Sequence, residues 1–212
     1  MKRYFHQELK DIRSKLILMG EMANEAGRMA VDGFLQSDLE KTQAAFELDD
    51  QIDDLEIEID RASVRYITLR SPVASDVRLI FVAIKASHDL ERTGDEAHSI
   101  CKRTASILTR EGKVTNTLAI EKMSRLAFSM MKDAITSLVE EDLNLAQSIM
   151  ERDKEVDRLN KDNFKELSSG LNIGTQEPST QIETILISRS IERIADHAKN
   201  LAEEVIYLLT GS

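Results

Sequence analysis

The stretch AFELDDQIDDLEIEIDRASVRY, residues 45–66, decides the fold. Its apolar stripe runs through Ala45, Leu48, Ile52, Leu55, Ile59, Ala62 and Tyr66, at spacings that alternate between three and four. That is the period of one face of an α-helix packed in a bundle, whereas a half-buried strand would alternate every second residue. The same rhythm recurs in a stripe of small residues, Ala83, Ser87, Leu90, Gly94, Ala97 and Cys101. It recurs again near the end of the chain in Ile187, Ile191, Ile194, Ala198, Leu201, Val205 and Leu208.

Breaks between such stripes are polar patches at 36–38, 110–117, 140–142 and 168–180, together with the chain's two prolines, Pro72 and Pro178. They predict six helices, over 4–36, 39–70, 73–110, 117–140, 142–168 and 179–210. Asp38 and Asp142 are expected N-caps, and Ser71 is expected to cap a helix whose first residue is Pro72. Composition agrees with long helices: of 212 residues, 31% are charged, 4% are aromatic, none is Trp, and only 8 are Gly.

Charge and cysteine content narrow the function. A formal net charge of -10 disfavours nucleic acid, because binding phosphates needs a basic face. It leaves room for cationic partners and metal ions. Cys101 is the single cysteine, which excludes an intramolecular disulfide and a cysteine-based zinc site. The Met residues at 19, 22, 29, 123, 130, 131 and 150 and the Cys101 thiol read as core. No apolar run approaches a membrane span, so no membrane insertion is expected. The start MKRYFHQELK lacks the apolar segment of a signal peptide, so the expected location is the cytoplasm.

The chain repeats itself. A shift of 104 residues lays Met19 on Met123, Ala30 on Ala134, Val31 on Ile135, Asp38-Leu39 on Asp142-Leu143, Ile52 on Val156 and Leu55 on Leu159. A shift of 101 then lays Glu91, Arg92, Asp95 and Ala97 on Glu192, Arg193, Asp196 and Ala198. The offset changes in a loop region, where insertions cost little. The expected fold is all-α: six long helices forming two tandem, pseudo-twofold-related three-helix bundles, one over 1–112 and one over 113–212.

Each half carries two acid pairs spaced i, i+4. They are Asp49/Asp53 with Glu91/Asp95, and Asp153/Asp157 with Glu192/Asp196. That spacing puts both carboxylates of a pair on one helix face, one turn apart, where they repel. With 38 acids in the chain, roughly seven such pairs would arise by chance, so one alone means little. Four in corresponding positions mean more. Most of the acids also directly follow stripe residues, as Asp49 follows Leu48 and Glu192 follows Ile191, so they sit on the shoulder of the apolar face. Shoulders of neighbouring helices meet, and four meeting carboxylates need cations. Oxygen-rich sets suit hard ions.

His88 and His98 flank Glu91 and Asp95 on the same face. They read as partly buried structural histidines, with a ligand role as the alternative, since neither recurs in the second half. Arg92 and Arg193 do recur, and are expected to offset the acids by ion pairing. Asp196-His197 is not a catalytic dyad, because adjacent helical residues diverge. Enzyme motifs are absent from the sequence: no phosphate loop, no G-x-S-x-G and no H-E-x-x-H. Position three after Glu91 is Gly94 and after Glu192 is Ala195, so the Glu-x-x-His pairs of di-iron carboxylate enzymes are missing too.

The paired motifs ELDDQIDDLE and MERDKEVDRLN, each preceding an ERTGD or ERIAD helix, resemble the PhoU family of phosphate-transport regulators. So does the stretch LRSPVASDVRLIFVAIKASHDLERTGDEAHSICK, and the resemblance extends over nearly the whole chain. It implies a cytoplasmic negative regulator of high-affinity phosphate uptake and of the phosphate-starvation response. It implies no enzyme activity and no catalytic residues. Expected partners are the ATPase subunit of a phosphate ABC transporter and a sensor histidine kinase, which would hold the protein at the inner face of the membrane. A homodimer is the expected assembly. The resemblance also implies metal ions at the repeated motifs, matched here by Asp49, Asp53, Glu91, Asp95, Asp153, Asp157, Glu192 and Asp196. Fe, Zn, Mn, Mg and Ca all remain open. The alternatives are a metal-dependent carboxylate-bridged enzyme and a purely structural helical scaffold.

Overall fold

The computed structural model describes residues 2–115, 117–170 and 177–211, without the side chains of residues 2–6 and 170. Every regular element among them is helical: α1 Lys2–Gln36, α2 Leu39–Phe46, α3 Asp49–Arg70, α4 Ala74–Glu111, α5 Ile120–Glu140, α6 Leu143–Gly170 and α7 Pro178–Thr210. These are the six expected long helices, the second broken into α2 and α3 by a turn at Glu47 and Leu48. In that turn the Leu48 amide bonds Ala45 O at 3.3 Å and the Glu47 amide bonds Gln43 O at 3.2 Å. No Gly or Pro marks the break, so the expectation of one continuous helix over 39–70 is corrected here. The break puts Asp49 and Asp50 in the first turn of α3, where the helix dipole favours negative charge.

In the first unit α1 packs on α2, α3 and α4; in the second, α5, α6 and α7 pack on one another. The units meet through α4 against α7 and α1 against α5, a pairing that a pseudo-twofold exchanges with itself. The apolar core runs through both. Phe34, Met19 and Ile52 of the first unit belong to one buried cluster with Met123, Val156 and Ile191 of the second. Each fully buried side chain of that size contributes about 1.5–3 kcal/mol, and a shared core lets short units stabilise each other. The small-residue stripe is buried at Ala83, Ser87, Leu90, Ala97 and Cys101. Burial pushes the Cys101 thiol up to about 12, with Asp49 adding to the effect.

The repeat is visible in the backbone. α1 and α5 both end on a non-glycine residue in the left-handed region, Ser37 at φ 56° and Glu141 at φ 57°. The next amide reaches back to an equivalent carbonyl in each: Asp38 to Gly33 at 2.9 Å and Asp142 to Ser137 at 3.1 Å. Both aspartates then cap the following helix as expected. Asp38 accepts from the Glu40 and Lys41 amides at 2.9 and 3.1 Å, and Asp142 accepts from the Leu145 amide at 3.0 Å. Ser71 departs from expectation. It is the left-handed C-cap of α3, at φ 47°, and α4 begins at Ala74 after Val73, so Pro72 lies in the connection. Pro178 instead occupies the first turn of α7, where its missing N–H costs nothing. Of the expected loop at 168–180, residues 171–176 fall outside the described residues, while 168–170 end α6 and 178–180 begin α7.

Candidate functional site

The first acidic cluster forms where α3 crosses α4. Gly94 sets the approach: a Cβ there would lie 3.0 Å from Asp49 Oδ1 and 3.2 Å from Ile52. Asp49, largely buried, is hydrogen-bonded to His98 Nδ1, and the His98 ring rests on Phe46 with centroids 4.0 Å apart. Asp53 lies in the field of Asp49, Asp95, Glu56 and Asp50. Partial desolvation, then these anions, raise its carboxyl above the ordinary range. Glu91 is raised by burial and then by Asp95 and Glu56, against Arg92 and His88. All four expected acids of the first half therefore share one patch.

That patch contains a residue the sequence reading passed over. One ligand atom each from Glu56, His88 and Glu91 lie within 4.8 Å of one another, with His88 Nδ1 3.4 Å from Glu56 and 3.9 Å from Glu91. Glu56 was legible as the position three after Asp53, on the same face. Its counterpart in the second half is Asn160, so the repeat does not mark it. His88 belongs to this patch, not to the core.

The second cluster forms between α6 and α7. Glu192 is raised by burial and then by Asp196, Asp157 and Asp153, against Arg189. Asp196 is raised by burial and then by Asp153 and Asp157, against Lys199 and His197. Again the four expected acids are brought together. Here Asp153 is only 8% exposed at its side chain, and Lys199 Nζ donates to it at 2.8 Å. Lys199 is the second residue the sequence reading missed, and it occupies the position equivalent to His98.

The repeated arginines play different parts. Arg92 stands 3.7 Å from Glu91 and 3.5 Å from Asp95, as expected. Arg193 corrects the expectation: it leaves its own acids and pairs with the buried Glu96 of α4 at 2.8 Å. His197 turns the same way, to Asp89 of α4 at 2.9 Å, beside Asn200. These contacts join the two units along α4 and α7, and they carry His197 away from Asp196.

The clusters differ in how well they suit a metal ion. In the first, Glu91 Oε2 is buried without a hydrogen-bond partner, beside an imidazole and a second carboxylate. Its nearest cationic groups, Arg92 Nε at 3.7 Å and His88 Nδ1 at 3.9 Å, stand beyond hydrogen-bond reach, so a metal ion would satisfy it more fully; carboxylate and imidazole donors suit Zn, Fe or Mn. In the second, among the described residues, none of the four acids has a buried oxygen without a partner. An ammonium already holds the most buried one.

The comparisons with known proteins fit this architecture. A model of the PhoU domain matches the chain twice, over residues 16–104 and 120–205. The chain is 34% identical over 212 residues to the phosphate-specific transport system accessory protein PhoU homolog of Pseudomonas aeruginosa, covering 100% of this chain and 88% of that one. It is 28% identical over 207 residues to the accessory protein PhoU of Escherichia coli, covering 98% and 86%. The crystal structure of PhoU from Pseudomonas aeruginosa matches with a TM-score of 0.94 and 36% identity, over 98% of this chain and 100% of that one. The phosphate transport system regulatory protein PhoU from Streptococcus pneumoniae matches with a TM-score of 0.88 and 25% identity, over 98% of each chain. No helix among the described residues is long and apolar enough to cross a membrane. The chain belongs to the PhoU family, a family of phosphate-transport accessory and regulatory proteins rather than enzymes.

Proposed function

We propose that this protein is a cytoplasmic negative regulator of high-affinity phosphate uptake and of the phosphate-starvation response. It acts as an adaptor between the ATPase subunit of a phosphate ABC transporter and a sensor histidine kinase, working as a homodimer. The observation that carries this reading is the end-to-end match to relatives named as accessory and regulatory proteins of phosphate transport. An adaptor regulates by preferring one state of its partner, and its effect cannot exceed that preference.

Metal ions enter this reading at the carboxylate clusters. In the first, Asp49, Asp53, Glu91 and Asp95, joined by Glu56 and His88, would hold the ion. Such an ion would neutralise the converging carboxylates and would supply a positive charge to attract a partner's carboxylates or phosphate oxygens. The raised carboxyls of Asp53 and Glu91 support it, because a patch that resists full ionisation favours a cation.

A pull-down with the ATPase subunit, with and without chelator and across salt concentrations, tests the adaptor reading. Capture lost to chelator supports a metal-dependent contact; capture lost only to salt supports direct pairing of acidic faces with basic residues. Deleting the protein in its host should leave the starvation response on when phosphate is plentiful. Normal repression in that strain, with neither ATPase nor kinase captured, would overturn the reading.

A further inference from the structure

Because the clusters are related by the repeat, every position in one has a counterpart in the other. Asp49, Asp53, Glu91 and Asp95 correspond to Asp153, Asp157, Glu192 and Asp196, and carry the same charge. Their neighbours do not correspond. Glu56 is replaced by Asn160, His88 by Arg189 and His98 by Lys199. All three changes run in one direction: a carboxylate gives way to a neutral amide, and two imidazoles give way to permanent cations. Imidazole offers a lone pair to a metal, whereas an ammonium and a guanidinium offer none.

The geometry follows the substitutions. Lys199 bonds Asp153 directly at 2.8 Å. The counterpart His98 bonds the equivalent Asp49, but through an imidazole, which can also serve as a metal ligand; the first cluster's arginine, Arg92, stays 3.5 and 3.7 Å from its acids and is half exposed. The first cluster is also the more open: Asp53 and Asp95 are exposed where their counterparts Asp157 and Asp196 are half-buried, and Asp49 is 16% exposed at its side chain against 8% for Asp153. An ion entering the second cluster would have to displace an ammonium from a buried carboxylate and then sit beside it as a like charge.

We propose that the two clusters have diverged: the first takes a divalent cation through Glu56, His88 and Glu91, while the second is neutralised from within by Lys199 and Arg189 and takes none. The second cluster is then a structural ion pair set between α6 and α7, in a place where the repeat alone suggests a second metal centre. This rests on the metal reading of the first cluster given above.

The test is metal content, not activity. The full chain and its variants are dialysed against buffered Mn2+, and bound metal is counted by atomic emission. Glu56→Gln with Glu91→Gln should bring uptake to background. Glu192→Gln with Asp196→Asn should leave it unchanged. Asn160→Glu with Arg189→His and Lys199→His, which writes the first half's residues into the second, should add uptake above the wild-type level. Should that last variant fail to fold, the first two still decide. Equal loss in both halves, or loss only with the second-half variant, overturns the divergence and leaves metal binding itself intact. A wild-type chain that takes up no Mn2+ overturns the metal reading and the divergence together.

Discussion

The two halves of this protein solve one electrostatic problem in two ways. Each gathers four carboxylates where its last two helices cross. The second half buries one of them, Asp153, and gives it Lys199. The first half leaves its acids more open, gives Asp49 the partner His98, and leaves one buried oxygen of Glu91 without a hydrogen bond. A buried ion pair made within the chain stabilises one structure. A buried carboxylate oxygen met only by longer contacts, from Arg92 at 3.7 Å and His88 at 3.9 Å, leaves room for an added cation. The difference teaches that a duplicated motif can be kept in both copies while only one keeps the chemistry, the other retaining the acids for architecture.

The largest effect should come from breaking the internal pair. Lys199→Met leaves a buried carboxylate unpaired and should cost about 3 kcal/mol, read as a lower denaturant midpoint at an unchanged slope. Adding Asp153→Asn should restore most of it, since the pair and its neutral replacement differ little. His98→Ala, the equivalent change in the first half, should cost only about 1 kcal/mol. Equal losses for Lys199→Met and His98→Ala would erase the contrast between the halves.

Gly94 and Ala195 offer a smaller contrast at the same repeat position. A methyl at Gly94 must push against the Asp49 carboxylate and Ile52, so Gly94→Ala should destabilise by about 1–3 kcal/mol, although Ala is otherwise the better helix former. Ala195→Gly should cost about 1 kcal/mol, from helix propensity. A stabilising Gly94→Ala would mean that α3 does not approach α4 as closely as the crossing requires.

The acids themselves give a pH signature. Glu192 and Asp196 have carboxyls raised in the folded state. A group of that kind binds its proton more tightly when folded. Its stabilising contribution is therefore present in acid and is lost as pH rises through the raised value. Glu192→Gln and Asp196→Asn should therefore increase stability at pH 7, and the gain should shrink below about pH 4, the ordinary carboxylate range. Unfolding curves at the two pH values check the sign. Metal should separate the halves here too: saturating Mn2+ should abolish the corresponding gain for Glu91→Gln and leave that for Glu192→Gln untouched.

Periodicity and repetition made most of this molecule legible in its sequence. Ile52, Ile59, Leu90, Ile187 and Ile191 announced their faces by spacing, and Asp38 and Asp142 announced their caps by position. The break at Glu47 and Leu48 stayed hidden because no Gly or Pro marks it, and the equivalent stretch of α6 runs straight through. Glu56 and Lys199 stayed hidden for a different reason. Recurrence across the halves is a filter against chance, and it discards whatever the halves do not share. Arg193 was misread because recurrence fixes a residue's place on its helix, not its rotamer or the helix it reaches.

The smallest prediction concerns the turns that the two halves hold most nearly in common. Ser37 and Glu141 both adopt the left-handed conformation, which costs an L-residue about 1 kcal/mol and glycine nothing. Glycine in turn has more freedom to lose on folding, so the turns alone favour it only slightly. What differs is the side chain each would give up. Glu141 makes one exposed ion pair, to Arg13 at 2.9 Å, a contact worth between nothing and about 1 kcal/mol; Arg13 keeps its bond to Val139 O at 3.0 Å. Ser37 Oγ accepts from the Val114 amide at 2.8 Å, tying the connection between the units to the end of α1. Removing it leaves a partly buried N–H without an acceptor. Glu141→Gly should therefore be neutral or stabilising by a few tenths of a kcal/mol, and Ser37→Gly destabilising by about 1 kcal/mol. Thermal midpoints of the two variants order them. If Ser37→Gly is the more stable, the Val114 tether contributes nothing, and the two turns are energetically as alike as their backbones.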